Sequence, residues 1–279
     1  TEGVFDNSTN IIAVSGGTFT SAVPQNCCAP GFEPTQNNDG THGVKTKANM
    51  AAEVLDAQGK TVGAYGKLAD AITAAKNGET VKLLKDVTEA VAIPEDKTIT
   101  LDLNGKTLKH EGQVLDIYGN LTIKNGTVEL TSGNAKAAIW LNKAAKLTID
   151  SDATVSVPAS NFAIGLWSDC TAAELTVKGT LKGGNGLTVN GTIANPGNKV
   201  TVDGATIESE GHGIYQAGVS DIVVKNANIT GATGIEVRAG KLTVDNSTIS
   251  GSGEPPDRRD DLRRKHFRPQ GDRAGSQAK

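Results

Sequence analysis

Large aromatic side chains are scarce in this chain: Trp, Tyr and Phe together make up 4% of its 279 residues. That share, with only 37% apolar residues, is low for a globular enzyme with a broad core and fits a narrow interior. No apolar run approaches the roughly 18 residues of a membrane-spanning helix, so no membrane insertion is expected in this segment. Cysteine is equally sparse. Cys27, Cys28 and Cys170 form one vicinal pair and one single, which is not a disulfide framework. No Cys/His spacing suggests zinc, so neither a metal nor a cofactor is expected. A formal net charge of -3 gives no general attraction to nucleic acid, and no nucleic-acid partner is expected. Arginine is almost confined to the end: Arg238 is followed by six others between Arg258 and Arg273.

What the chain does have is glycine, 33 residues of it, and one short pattern repeated six times. Leu121-Thr-Ile-Lys124, Leu147-Thr-Ile-Asp150, Leu175-Thr-Val-Lys178, Val200-Thr-Val-Asp203, Ile222-Val-Val-Lys225 and Leu242-Thr-Val-Asp245 alternate apolar and polar positions. Each is followed by a turn residue (Asn125, Ser151, Gly179, Gly204, Asn226, Asn246) and then a polar-apolar pair, from Thr127-Val128 to Thr248-Ile249. The first residues are spaced by 26, 28, 25, 22 and 20. That is the length of one solenoid coil. The expected fold is therefore all-β, a right-handed parallel β-helix with a short α-helical N-terminal cap.

Composition divides the chain into five parts. Residues 1–19 contain Ile12-Ala-Val-Ser-Gly-Gly-Thr-Phe19, the same strand and turn order as the coils, and read as the terminal coil of a preceding solenoid. Residues 20–50, with Pro24, Pro30, Pro34 and Asn37-Asn-Asp-Gly40, lose the period and read as a linker or surface excursion. Residues 51–79 hold a hairpin, Ala52 to Asp56 against Thr61 to Tyr65, and a helix whose stripe is Leu68, Ala71, Ile72 and Ala75, with Gly78 as its C-terminal cap. Residues 80–252 are the β-helix. Residues 253–279 have no strand pattern and read as a disordered or aberrant tail. Its eight Lys and Arg are interleaved with five acidic residues, which argues against nucleic-acid binding.

Stacking the coils lines up outward rows. Lys124, Asp150, Lys178, Asp203, Lys225 and Asp245 form a ladder of alternating sign, expected to set each cation between two carboxylates and to pin the register. Thr122, Thr148, Thr176, Thr201 and Thr243 form a second column, interrupted by Val223. A further strand per coil carries most of the large rings, and alternation puts Tyr118, Trp140, Trp167 and Tyr215 on one outer face. Exposed rings beside carboxylates suit stacking on sugars or gripping a protein. These four are the candidate ligand-binding residues. Asp169, His212, Glu236 and Arg238 are the candidate polar site of an alternative, enzymatic reading.

Three motifs carry a resemblance. They are Val14-Ser-Gly-Gly-Thr-Phe19 followed by Pro30-Gly-Phe-Glu-Pro34 and Asn38-Asp-Gly-Thr41; the Leu68-Ala-Asp-Ala-Ile72 helix leading into Glu79-Thr-Val-Lys-Leu-Leu84; and Lys97-Thr-Ile-Thr-Leu-Asp-Leu-Asn-Gly-Lys-Thr107. With them the chain resembles large secreted surface proteins of gut-type bacteria that carry pectate-lyase-like β-helices. His42 stands where that pattern usually has an aromatic. The resemblance implies an extracellular or cell-wall location and a segment of a longer surface protein. It says little about activity, because a β-helix is a scaffold that hosts many functions; with the exposed rings, the expected function is a non-catalytic stalk or adhesin binding host or microbial glycans or surface proteins. The same fold houses pectin-degrading enzymes, and Gly211-His-Gly213 resembles part of a polygalacturonase motif, so a polysaccharide lyase or hydrolase is the alternative. No catalytic residue is assigned: Ser168-Asp-Cys170 stands alone 42 residues before His212, whereas inverting hydrolysis needs two carboxyl groups across the scissile bond.

Overall fold

The structure, a computed structural model, describes residues 12–191 and 197–253. Strand accounts for 56% of it and helix for 4%, and the strands wind into a parallel β-solenoid of about seven turns. Each coil contributes to three parallel sheets. The first holds the repeated Leu-Thr-Ile segments in the expected register, Leu121 on Leu147, Leu147 on Leu175, Leu175 on Val200, Val200 on Ile222 and Ile222 on Leu242. The second stacks Leu108, Val128, Val155, Leu181, Ile207, Ile229 and Ile249. The third runs from Val91–Ile93 to Thr233–Val237, with Leu115, Ile139, Ile164, Leu187, Ile214 and Ile235 in one inward row. Like residues stack on like because the side-chain period of 2 sends alternate residues inward, and a slip of one would turn the whole row to water.

The corner between the first two sheets turns through left-handed backbone at Asn104, Asn125, Gly204, Asn226 and Asn246. Asn tolerates that conformation because its short amide bonds locally. Here the amides also link coils: Asn246 Nδ2 donates to Asn226 Oδ1 at 2.8 Å, and Asn226 Nδ2 to Asp203 Oδ1 at 3.1 Å. The neighbouring charge ladder keeps its expected alternation, with Lys178 acting on both Asp150 and Asp203, but its close contacts are one-sided. Lys124, Lys178 and Lys225 each reach one carboxylate, that of the preceding coil, at 3.4, 3.7 and 3.1 Å from Asp102, Asp150 and Asp203. One ammonium on one flexible stem takes one close partner, and at this exposure solvent screens the pairs, so they add little to stability.

One end of the column is closed. Ala52–Leu55 pairs antiparallel with Thr80–Leu83, and Thr61–Tyr65 pairs outside it as the expected hairpin. The helix Leu68–Ala74 buries Leu68, Ala71 and Ile72 in the same core as the coils. Both of its ends are satisfied from the coils rather than from its own sequence. The Glu89 carboxylate accepts the N–H groups of Leu68 and Ala69, and Lys97 Nζ donates to the carbonyls of Thr73 and Ala75, charges that complement the helix dipole. Gly78 is not the helix cap. Ala75 already leaves the helix with extended backbone, and Gly78, at φ +87°, serves the next turn, where its N–H bonds Thr98 O.

Residues 20–50 are more ordered than a linker. Phe32–Gln36 and His42–Thr46 form an antiparallel hairpin around Asn37-Asn-Asp-Gly40, with Asp39 accepting from both the N–H and the hydroxyl of Thr41. Of the expected terminal coil, residues 1–11 lie outside the described residues. Its remainder makes single bridges, Val14 to Cys28 and Phe19 to His42, rather than a parallel ladder. The tail from residue 254 also lies outside them. Among the described residues no helix is long and apolar enough to cross a membrane.

Candidate functional site

The outer face of the third sheet is built from two rows. In-register pairing aligns Ala92, Asp116, Trp140, Gly165, Thr188, Tyr215 and Glu236 as successive rungs. The next outward position in each coil gives Tyr118, Asn142, Trp167 and Arg238. All four predicted ring residues therefore share this face, but not as four exposed anchors. Trp140 is 8% exposed. The rung above it is Gly165, and a Cβ there would lie 2.3 Å from Trp140 Cζ3, so the bare glycine lets the indole lie down across the next coil. Trp167 stands edge-on to it, with centroids 4.8 Å apart and planes at 86°, and keeps 42% of its surface exposed. One tryptophan is thus the floor and the other the wall.

Around this pair opens a cleft of about 480 Å³ lined by Gln113, Asp116, Asn134, Lys136 and Asn142 together with both indoles. Asp116 is its fixed polar group. Its Oδ1 accepts from Asn142 Nδ2, and its Oδ2 accepts from the Tyr118 hydroxyl at 3.3 Å. The Asp116 charge raises the Tyr118 pKa, which keeps that hydroxyl a donor. Each carboxylate oxygen retains a second acceptor position for a ligand hydroxyl. Sequence reasoning missed Gln113, Asn134, Lys136 and Asn142. Asn142 was within reach of it, since coil stacking puts this residue one rung above Tyr118, next to the Ile139-Trp-Leu141 strand.

The second predicted group is partly assembled. His212 Nε2 lies 2.8 Å from Glu236 Oε2, Arg238 Nε donates to Glu236 Oε1 at 2.8 Å, and the guanidinium sits 5.2 Å from the Tyr215 ring centroid. Asp169 does not join them. It stays two coils away, near the Lys143 N–H at 3.5 Å. Both Glu236 oxygens are engaged, and the Arg238 hydrogen bond, followed by that of His212, holds its carboxyl below the usual range. An ionised, doubly bonded carboxylate is suited to positioning rather than to donating a proton. The glycines beside His212 are close-approach residues. A Cβ on Gly211 would meet Asn185 Oδ1 at 2.3 Å, and one on Gly213 the Gly234 carbonyl oxygen at 2.4 Å. Asn185, buried, uses that same Oδ1 to accept the His212 N–H.

Two further observations bear on chemistry. Cys170 is buried, its Sγ donates to Leu141 O, and burial pushes its thiol up to about 12, so it is no nucleophile at ordinary pH. No group of three or more His, Cys, Asp or Glu able to hold a metal occurs among the described residues. No protein-family model, curated protein or solved structure matches the chain significantly.

Proposed function

We propose that this chain is a non-catalytic module of a bacterial cell-surface protein, a rigid stalk or adhesin that binds glycans or surface proteins by its third sheet. The observation that carries this reading is the exposed Trp167 indole, held edge-on by Trp140 beside the anchored Asp116 carboxylate. A flat apolar ring next to fixed acceptors matches a pyranose, whose C–H face stacks while its hydroxyls donate. Extracellular location follows from the same reading and from the surface-protein motifs. A glycan array followed by calorimetry tests it. Trp167→Ala is expected to weaken the best ligand roughly tenfold or more, as loss of an exposed aromatic anchor does. Absence of any bound glycan, or indifference to Trp167→Ala, would reduce the module to a spacer.

The His212, Glu236 and Arg238 cluster supports the second reading, a polysaccharide lyase or hydrolase. New reducing ends or unsaturated products released from pectin, and lost in His212→Ala, would favour it. The expected result is no release by either protein, because Glu236 is committed to its two neighbours.

A further inference from the structure

The two longest coils, 26 residues from Leu121 to Leu147 and 28 from Leu147 to Leu175, are the two that carry Trp140 and Trp167. Later coils are trimmed at the corner between the second and third sheets. Only Glu210-Gly211 separates Thr206–Ser209 from His212–Gln216, and only Ala232 separates Asn228–Gly231 from Thr233–Val237. In the first of the long coils the same corner is the loop 131–136. It is held from both sides. Ser132 Oγ donates to Glu111 O at 2.6 Å in the coil before, while Lys136 O accepts the Phe162 N–H at 2.9 Å and Ala135 O accepts the Asn161 amide in the coil after. Insertions in a solenoid repeat map to loops on one face, often the binding face, and this one brings Lys136 to the wall of the aromatic cleft.

The cleft then holds one charge of each sign, and neither is neutralised. Asp116 accepts only from neutral donors, the Asn142 amide and the Tyr118 hydroxyl. Among the described residues neither Asp116 nor Lys136 has an ion-pair partner, whereas the ladder lysines Lys124, Lys178 and Lys225 each do. Asp116 shares a rung with Trp140, and Lys136 precedes Trp140 by four positions, roughly 13 Å of strand. That span exceeds one pyranose ring. A neutral sugar closing over the cleft would desolvate both charges and compensate neither, and a ligand of one sign would leave the opposite charge stranded. We infer that the cleft selects a zwitterionic glycan, with the ammonium of an amino sugar between Asp116 and the Trp167 indole and the acid group of a neighbouring sugar on Lys136. A carboxylate and an indole face both attract an ammonium, and the Lys136 ammonium gives a sugar acid a charge-assisted hydrogen bond. This names the ligand class of the cleft described above and rests on its glycan reading.

Calorimetry on the full chain with three tetrasaccharides tests this. N-deacetylated heparosan alternates glucosamine with glucuronate and carries both signs. Heparosan itself, its amines acetylated, carries only the acid, and a chitosan tetrasaccharide carries only the amine. The deacetylated heparosan is expected to bind roughly tenfold or more tighter than either of the others. Asp116→Asn keeps the shape of the side chain and removes its charge, and is expected to erase the advantage over heparosan while the advantage over chitosan persists. Lys136→Gln is expected to do the reverse. A damaged fold would weaken all three probes alike, so the crossed pattern separates recognition from stability. Equal affinity for the three probes, tightest binding of a singly charged one, or variants that weaken all three equally would overturn the inference. A neutral glycan held through Trp167, with both charge variants indifferent, would overturn it and leave the glycan reading intact, whereas no bound glycan of any kind removes both.

Discussion

Leu141→Ala is expected to lower the free energy of unfolding by about 2–5 kcal/mol, the range for a fully buried leucine whose site cannot collapse. Leu141 is 0% exposed and sits in the inward row between Ile117 and Leu166. The hydrogen-bonded ladders fix the rungs above and below it at about 4.8 Å, so the neighbours cannot close the void. Val244→Ala in the last described coil removes a similar group from a side chain 43% exposed and is expected to cost less than about 1 kcal/mol. Urea denaturation of both variants checks this. Similar losses in the two would mean that the interior row is not the main source of stability.

Gly165→Val is expected to disable the cleft while leaving the coils in place. The new Cβ would stand 2.3 Å from Trp140 Cζ3, so the indole must swing off its rung and release the edge-on contact with Trp167. Such overpacking typically costs about 1–3 kcal/mol. Valine itself suits an outward strand position, so the far-UV circular dichroism should be unchanged. The near-UV signal of the tryptophan pair should collapse, and glycan binding should fall roughly tenfold. Retention of both near-UV signal and binding would separate Trp140 from the site.

Most of the solenoid was legible because its signal is local and repeated. The alternation in Leu121-Thr-Ile-Lys124 and its five counterparts specifies inward residues, and their spacing specifies the stack. The hairpin and helix were legible from residues within a few positions of one another. What was not legible depended on contacts a coil away. Trp140 reads as an outward ring from its own strand, and only Gly165, 25 residues later, decides that it lies buried. Gly78 reads as a helix cap by position, yet the Lys97 ammonium satisfies the last carbonyls and frees it for another turn. The prolines of residues 20–50 hid a hairpin because Pro34 lies in a two-stranded sheet with no third strand to demand the N–H that proline lacks. His212, Glu236 and Arg238 meet because they stand on adjacent coils, whereas Asp169, read with them as one polar site, lies two coils from His212 and bonds the Lys143 N–H instead.

The closed end of the column precedes its coils in the chain. As a nascent chain leaves the ribosome, the hairpin and helix between Ala52 and Ala74 emerge before the later coils. The part that covers the end of the column is thus synthesised before the coils it covers. Each new coil needs contacts only with itself and the coil just laid down, some 20 to 28 residues back. Assembly can therefore run in one direction in step with translation, like a zip fastened at its base.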